Sequence, residues 1–222
     1  MTEKEKILNR IREALTVASS SHGIHPILDT SHSTARSWLP LVGETFESRL
    51  ALFEKNSADL KTAFHLVNNR DEFAKSLLNL REAEEWKKIG IHSGELTNEA
   101  ARVLNLPACR TDQSYDVHQL ESCDAGITEC DALIAQTGSI LITNRTAGGR
   151  ALSVLPPHHV VLARRDQLIP DLPEAFALLK RKYSSNYPSF ISFITGPSRT
   201  GDIERILVLG AHGPKRLTIF LL

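Results

Sequence analysis

Cysteine, aromatic side chains, long apolar runs and net charge are all scarce in this chain. Its 222 residues include three cysteines, one methionine and 6% aromatic residues. Cys109, Cys123 and Cys130 are odd in number and form no C-x-x-C pair. They cannot complete a four-cysteine iron–sulfur cluster, so they read as free thiols in a reducing compartment. No redox cofactor is expected in the chain itself. Apolar runs such as 160–163 and 206–209 are far shorter than a membrane span, and the charged start Glu3-Lys4-Glu5-Lys6 lacks the apolar core of a signal peptide. The expected location is the cytoplasm, with no membrane partner.

Net charge is zero, with 26 basic against 26 acidic residues, but the balance is uneven. From Arg150 onward ten Lys and Arg face five Asp and Glu. This modest local excess suits a small anionic ligand better than nucleic acid, which calls for a denser basic stripe interleaved with aromatics. The common catalytic signatures are missing too: there is no G-x-x-x-x-G-K-[ST], G-x-G-x-x-G, H-E-x-x-H or G-x-S-x-G. The usual nucleotide, zinc-protease and serine-hydrolase readings lose their support.

What is present is an ordinary globular composition, 41% hydrophobic and 23% charged, long enough for one large domain with an appendage. Residues 1–40 read as an N-terminal helical arm, in which Ile7, Leu8, Ile11 and Leu15 have helical spacing. One helix cannot bury its stripe alone. The arm packs either on its own domain or on another subunit, which would make a homo-oligomer. Residues 41–222 alternate between helical and strand patterns. Helices are expected near 44–55, 71–86, 97–104 and 172–182, the third capped by Thr97 or Asn98. Strands are expected at 63–67, 88–92, 125–128, 132–135, 139–143, 160–163, 189–195, 206–209 and 217–221. Such alternation argues for an α/β fold, a three-layer mixed sheet covered on both faces with part of it antiparallel.

Polar chemistry gathers at the C-terminal end. Two Gly-Pro turns, Gly196-Pro197 and Gly213-Pro214, each follow a strand-like run, with Ser198, Arg199, Thr200, Asp202, Glu204 and His212 close by. Ser198 and Thr200 stand where a strand is expected to hand over to a short helix, with Asp202 and Glu204 in its first turn. One reading is a capped helix start, and the other an anion held by free backbone N–H groups and Arg199. Thr137, Gly138 and Ser139 open a strand, and a Gly-rich loop delivers Arg150 and then Ser153. That segment is either a solvated hairpin or a loop closing over an anion. His158 and His159 point to opposite faces of a strand and cannot readily share a metal ion, so no metal site is expected. His212 is either a turn histidine or a proton carrier.

These same residues carry a resemblance. The run from Asp131 through Gln136-Thr137-Gly138-Ser139, then Gly149-Arg150 with Ser153-Val154-Leu155-Pro156, Gly196-Pro197-Ser198 through Asp202-Ile203-Glu204, and His212-Gly213-Pro214 resemble the lactate-utilisation protein C family, whose members carry the LUD domain. The likeness runs in order from about Ala125 to the C-terminus. It implies a fold similar to the NagB/RpiA/CoA-transferase group and a role in bacterial L-lactate oxidation to pyruvate, beside iron–sulfur partner proteins. The family usually has Glu where this chain has Gln136. An amide neither titrates nor attacks like a carboxylate, so Gln136 reads as a hydrogen-bonding position. Two functions follow from the resemblance and the fold. One is a non-redox, ligand-binding or accessory component of the lactate system. The other is a stand-alone isomerase, CoA-transferase or folate cyclo-ligase-like enzyme acting on a small phosphate or carboxylate.

Overall fold

Strands that are apolar on both faces need cover on both faces, and parallel pairing needs long crossovers between strands. Both requirements are met in a computed structural model that describes residues 3–16, 41–184, 186–203, 206–210 and 212–222. The chain separates into Met1–Leu39 and Pro40–Leu222. In the first unit the described element is helix α1 (Glu3–Thr16).

The second unit is built on a six-stranded parallel sheet. Its strands are β1 (Ala63–Leu66), β2 (Ile89–Ile91), β3 (Ala108–Arg110), β4 (Ala125–Glu129), β7 (His158–Ala163) and β12 (Arg216–Leu221), in the order β1-β12-β7-β4-β2-β3. The helices are α2 (Phe46–Asp59), α3 (Arg70–Ala83), α4 (Glu95–Leu104), α5 (Val117–Glu121) and α6 (Leu172–Tyr183). Phe73 and Leu77 of α3 and Ala100 and Leu104 of α4 pack on one sheet face, against Ile89, Ile127, Val160, Leu162 and Phe220.

The α/β class expected from the alternation holds, but the antiparallel strands are not part of the large sheet. Most of them lie in a second, four-stranded sheet of β5 (Ala132–Ile134), β6 (Ser139–Thr143), β8 (Leu168–Ile169) and β9 (Ile191–Ile194), in the order β8-β5-β6-β9, where β6 runs antiparallel to β5 and β9 and β8 runs parallel to β5. Leu133, Ile140 and Ile142 of this sheet pack with Val161, Ala163, Leu217 and Ile219 on the other face of the parallel sheet, and Phe53 of α2 joins them. The far side of the small sheet is covered by α6 through Ala175, Leu179 and Tyr183. Sheet therefore covers much of a face where helices were expected. The period-two pattern of a short buried strand does not say which sheet it joins.

Local chemistry explains most boundaries. Thr45 and Asn69 cap α2 and α3 by accepting from the N–H groups of Ser48 and Glu72, at 3.2 and 2.8 Å. Helix α4 corrects the expected cap at Thr97 or Asn98. It begins at Glu95 after Gly94, with no side-chain cap from its own N-terminus. The Glu129 carboxylate at the end of β4 serves instead, accepting from Leu96 N at 2.9 Å and Thr97 N at 3.4 Å. A negative charge at a helix N-terminus is favourable in both hydrogen bonding and dipole.

The feature that most shapes the rest is a bare strip on the second sheet face. Gly90 and Gly126 are close neighbours there across β2 and β4. The segment after β6 crosses this strip so closely that a Cβ on Gly126 would overlap the Leu152 carbonyl oxygen, while Leu152 Cδ1 would lie 2.8 Å from a Cβ on Gly90. We expect Gly126→Ala to destabilise the fold by about 1–3 kcal/mol through overpacking. Thermal unfolding should show a melting point lowered by several degrees; an unchanged one would mean that the crossing is not tight.

Candidate functional site

The crossing segment delivers Ser153 to a cleft of about 180 Å³ between the parallel sheet and β9. His159 and Leu217 form the sheet wall, Phe190, Ser192 and Ile194 the β9 wall, and the turns Gly196–Ser198 and His212–Pro214 close one end. Ser198 ties the two turns together: its N–H donates to the Pro214 carbonyl at 2.9 Å, and its carbonyl accepts from Gly210 N at 3.0 Å. Both Gly-Pro turns singled out in the sequence thus meet at one place.

Two polar atoms here have no partner among the described residues. Ser153 is 3% exposed and His159 1%, and neither Ser153 Oγ nor His159 Nδ1 makes a hydrogen bond. The other ring nitrogen of His159 is engaged, lying 2.9 Å from Thr128 Oγ1. Buried polar atoms are normally satisfied, and leaving one unmade costs about 1–3 kcal/mol. A pair of such atoms on residues lining one cleft is what a site for a small polar ligand requires.

Of the residues expected to bind a ligand, Ser153, Gly196, Pro197, Ser198 and His212 line this cleft. Arg150 does not line it. Its guanidinium lies 5.9 Å from the centre of the Phe190 ring, which does, and Nη2 donates to the Ser189 carbonyl at 2.7 Å. Thr137, Gly138 and Ser139 lie elsewhere, in the tight β5–β6 turn against the end of α2. There Asn56 Nδ2 donates to the carbonyls of Ala135 at 2.8 Å and Gln136 at 3.0 Å. Ser139 Oγ pairs with Thr195 Oγ1 at 2.8 Å. Arg199 donates to the Leu60 carbonyl at the end of α2 and so serves the fold.

The short helix expected after Ser198 is replaced by a hairpin. Strand β10 (Arg199–Ile203) pairs antiparallel with β11 (Ile206–Leu209). There is accordingly no helix N-terminus to hold an anion, and the Ser198 N–H is already committed to Pro214. Thr200 and Asp202 are placed as β10 backbone, and Glu204 lies outside the described residues. His159, considered in the sequence only as a metal ligand, is a titratable lining residue outside the expected binding set. Its alternation with His158 was visible in the sequence, but the segment that makes its face a cleft was not.

Behind the site, the Asp131 carboxylate is buried and fully used. It accepts from Lys182 Nζ at 2.6 Å, Tyr183 OH at 2.6 Å and Thr146 Oγ1 at 2.8 Å. Burial alone would lower the Lys182 ammonium pKa, but the hydrogen bond and charge of Asp131 raise it. This network anchors the start of the crossing segment to the end of α6. Among the described residues, no three His, Cys, Asp or Glu side chains are grouped as a metal site.

A family model for the LUD domain matches residues 50–222. The chain belongs to the LUD-domain family. It is similar to proteins named Lactate utilization protein C from Bacillus licheniformis, 31% identical over 137 residues that cover 59% of this chain and 56% of that one. A protein of the same name from Deinococcus radiodurans is 33% identical over 119 residues, covering 53% and 55%. The chain spans about half the length of the curated relatives it matches. A crystal structure of a DUF162 family protein from Deinococcus radiodurans has a TM-score of 0.63 and 22% identity, covering 82% of this chain and 99% of that one. That likeness shows the α/β fold. No helix among the described residues is long and apolar enough to cross a membrane.

Burial pushes the His158 imidazole down to about 4, and burial with the neighbouring His158 charge pushes His159 to about 3. Both rings are therefore neutral at pH 7, and unfolding releases them to titrate near 6.5. The unfolded chain then binds protons that the folded one refuses. The stability carried by the neutral rings is complete above about pH 6.5 and is lost as pH falls towards these lowered values. Urea midpoints should drop from pH 6.5 to 5, above the carboxylate range; a flat midpoint there would contradict buried neutral rings.

Proposed function

We propose that this chain is a non-redox component of a bacterial L-lactate utilisation system and that its cleft holds a small carboxylate. The observation that carries the reading is the pair of unpartnered buried atoms, Ser153 Oγ and His159 Nδ1, on residues that line one cleft with Arg150 beside one wall. A hydroxyl and a neutral imidazole suit the hydroxy or keto oxygen of a 2-hydroxy or 2-keto acid, since each can donate or accept. Arg150 supplies a fork-shaped donor for the carboxylate at the rim. The relatives named for lactate utilisation support the process, and the match covers about half of their length.

Oxidation itself is assigned to partner proteins that carry iron–sulfur clusters. Burial pushes the Cys123 thiol up to about 11 and raises Cys130 strongly as well. Iron is bound by thiolates, and thiols held protonated in apolar surroundings are poor ligands. The purified chain should be colourless and free of stoichiometric iron, and should co-purify with cluster-bearing partners from cells grown on lactate. Several iron atoms per isolated chain would overturn this division of labour.

Calorimetry with L-lactate and pyruvate tests the cleft. A charged hydrogen bond contributes on the order of 1.5–3 kcal/mol, so Arg150→Ala should weaken binding roughly ten- to a hundredfold, while loss of its exposed bond to the Ser189 carbonyl lowers the melting point by about a few degrees at most. Ser153→Ala removes a buried hydroxyl that has no partner, so it should weaken binding while leaving the free protein as stable or more so. Unchanged affinity in both variants would remove these residues from the site. Turnover of a carboxylate or phosphate by the isolated chain would favour the stand-alone enzyme instead.

A further inference from the structure

The opposite face of the parallel sheet carries a second groove, at the amino ends of β1, β12, β7 and β4. Two connected hollows, of about 270 and 170 Å³, share Glu84, His158, Lys215 and Arg216. Trp86 and Asp124 extend one end, and Lys61 the other. The His158 ring is 4% exposed, with Trp86 edge-on at 5.2 Å. Its Nε2 lies 2.8 Å from Thr218 Oγ1, while its Nδ1 has no partner. As with His159 on the other face, a buried ring nitrogen is left unmade beside a hollow.

The charges around this nitrogen do not cancel. Glu84 is taken by Arg216. Asp124 accepts from the backbone N–H groups of Lys87 at 2.7 Å and Lys88 at 2.9 Å. Asp124 keeps its charge, so the lining holds Lys61, Lys215 and Arg216 against Glu84 and Asp124. Among the described residues, Lys61 and Lys215 have no carboxylate partner, and both are exposed. Lys61 moreover sits just past the end of α2 with φ 62°, in the left-handed region that favours glycine.

We infer that this groove is a second binding site, for a small oxyanion of the phosphate type, with Lys61 and Lys215 supplying the charge and His158 Nδ1 the hydrogen bond at its floor. Two ammonium groups match the two negative charges of a phosphate near neutral pH, and lysine binds phosphate as a compact point charge. If the Thr218 hydroxyl donates to Nε2, the ring proton lies on Nδ1, for which the described residues supply no acceptor. The site shares no residue with the 2-hydroxy-acid cleft except Leu217, which lines both.

The test uses inorganic phosphate against sodium chloride at equal ionic strength, read by thermal unfolding and by calorimetry. Phosphate should raise the melting point of the wild-type chain and chloride should not. The double variant Lys61→Gln/Lys215→Gln should weaken phosphate binding at least tenfold. Lys61→Gly separates charge from fold, because it should raise the melting point of the phosphate-free protein while lowering phosphate affinity. Ser153→Ala should leave the phosphate response intact, which keeps failure here distinct from failure of the carboxylate cleft. Equal effects of phosphate and chloride on the wild type, or a double variant that responds like the wild type, would overturn the proposal.

Discussion

The approach of the Leu152 carbonyl to Gly126 is the constraint on which the site depends. Side chains at Gly90 of β2 and Gly126 of β4 would hold the crossing segment away from the sheet. With it would go Ser153, the wall of the cleft, and the cover over Cys109, Leu120 and Cys123, where Leu152 packs. The segment is fixed at its start by the Asp131 network and at its end by Pro157, whose carbonyl accepts from Lys215 N at 2.8 Å. Close packing in the interior makes such a contact nearly all-or-none, because a methyl group has nowhere to go. The glycines therefore set where the Ser153 hydroxyl stands.

The two adjacent histidines of β7 show how one strand can present a buried ring to each face of the sheet. Alternation sends His158 to the helix-covered face and His159 to the face shared with the small sheet. Each ring spends Nε2 on a threonine, Thr218 or Thr128, and keeps Nδ1. Burial holds both neutral, so they act as fixed hydrogen-bonding groups rather than as charges. Formal charge stands at the rims: Arg150 beside the cleft, Lys61 and Lys215 beside the groove.

Local patterns were legible in the sequence wherever local physics decides them. The apolar runs of β4, β6, β7 and β12 and the periodic helices α2, α3 and α6 lie close to where spacing placed them, and the two Gly-Pro turns do meet. Distant partners decided the rest. The cap of α4 comes from Glu129, more than thirty residues away, which no reading of Thr97 or Asn98 could reveal. Ser198 is followed by a strand because β11 is there to pair with it, although its hydroxyl and the acids after it resemble a helix start. Thr137–Ser139 form a turn against α2, since Asn56 reaches across to their carbonyl neighbours. His159 fell outside the expected binding set for the same reason: its solitude on the strand is local, and the cleft beside it is not.

We propose a small carboxylate held at Ser153 and His159. Side-chain ¹⁵N NMR of the histidine rings, recorded as L-lactate is added, tests it most directly. The His159 Nδ1 resonance should move in step with saturation, while Nε2, held by Thr128, moves little and the His158 ring stays in place. Saturable lactate binding with both His159 nitrogens unmoved would contradict the account and put the ligand elsewhere on the molecule.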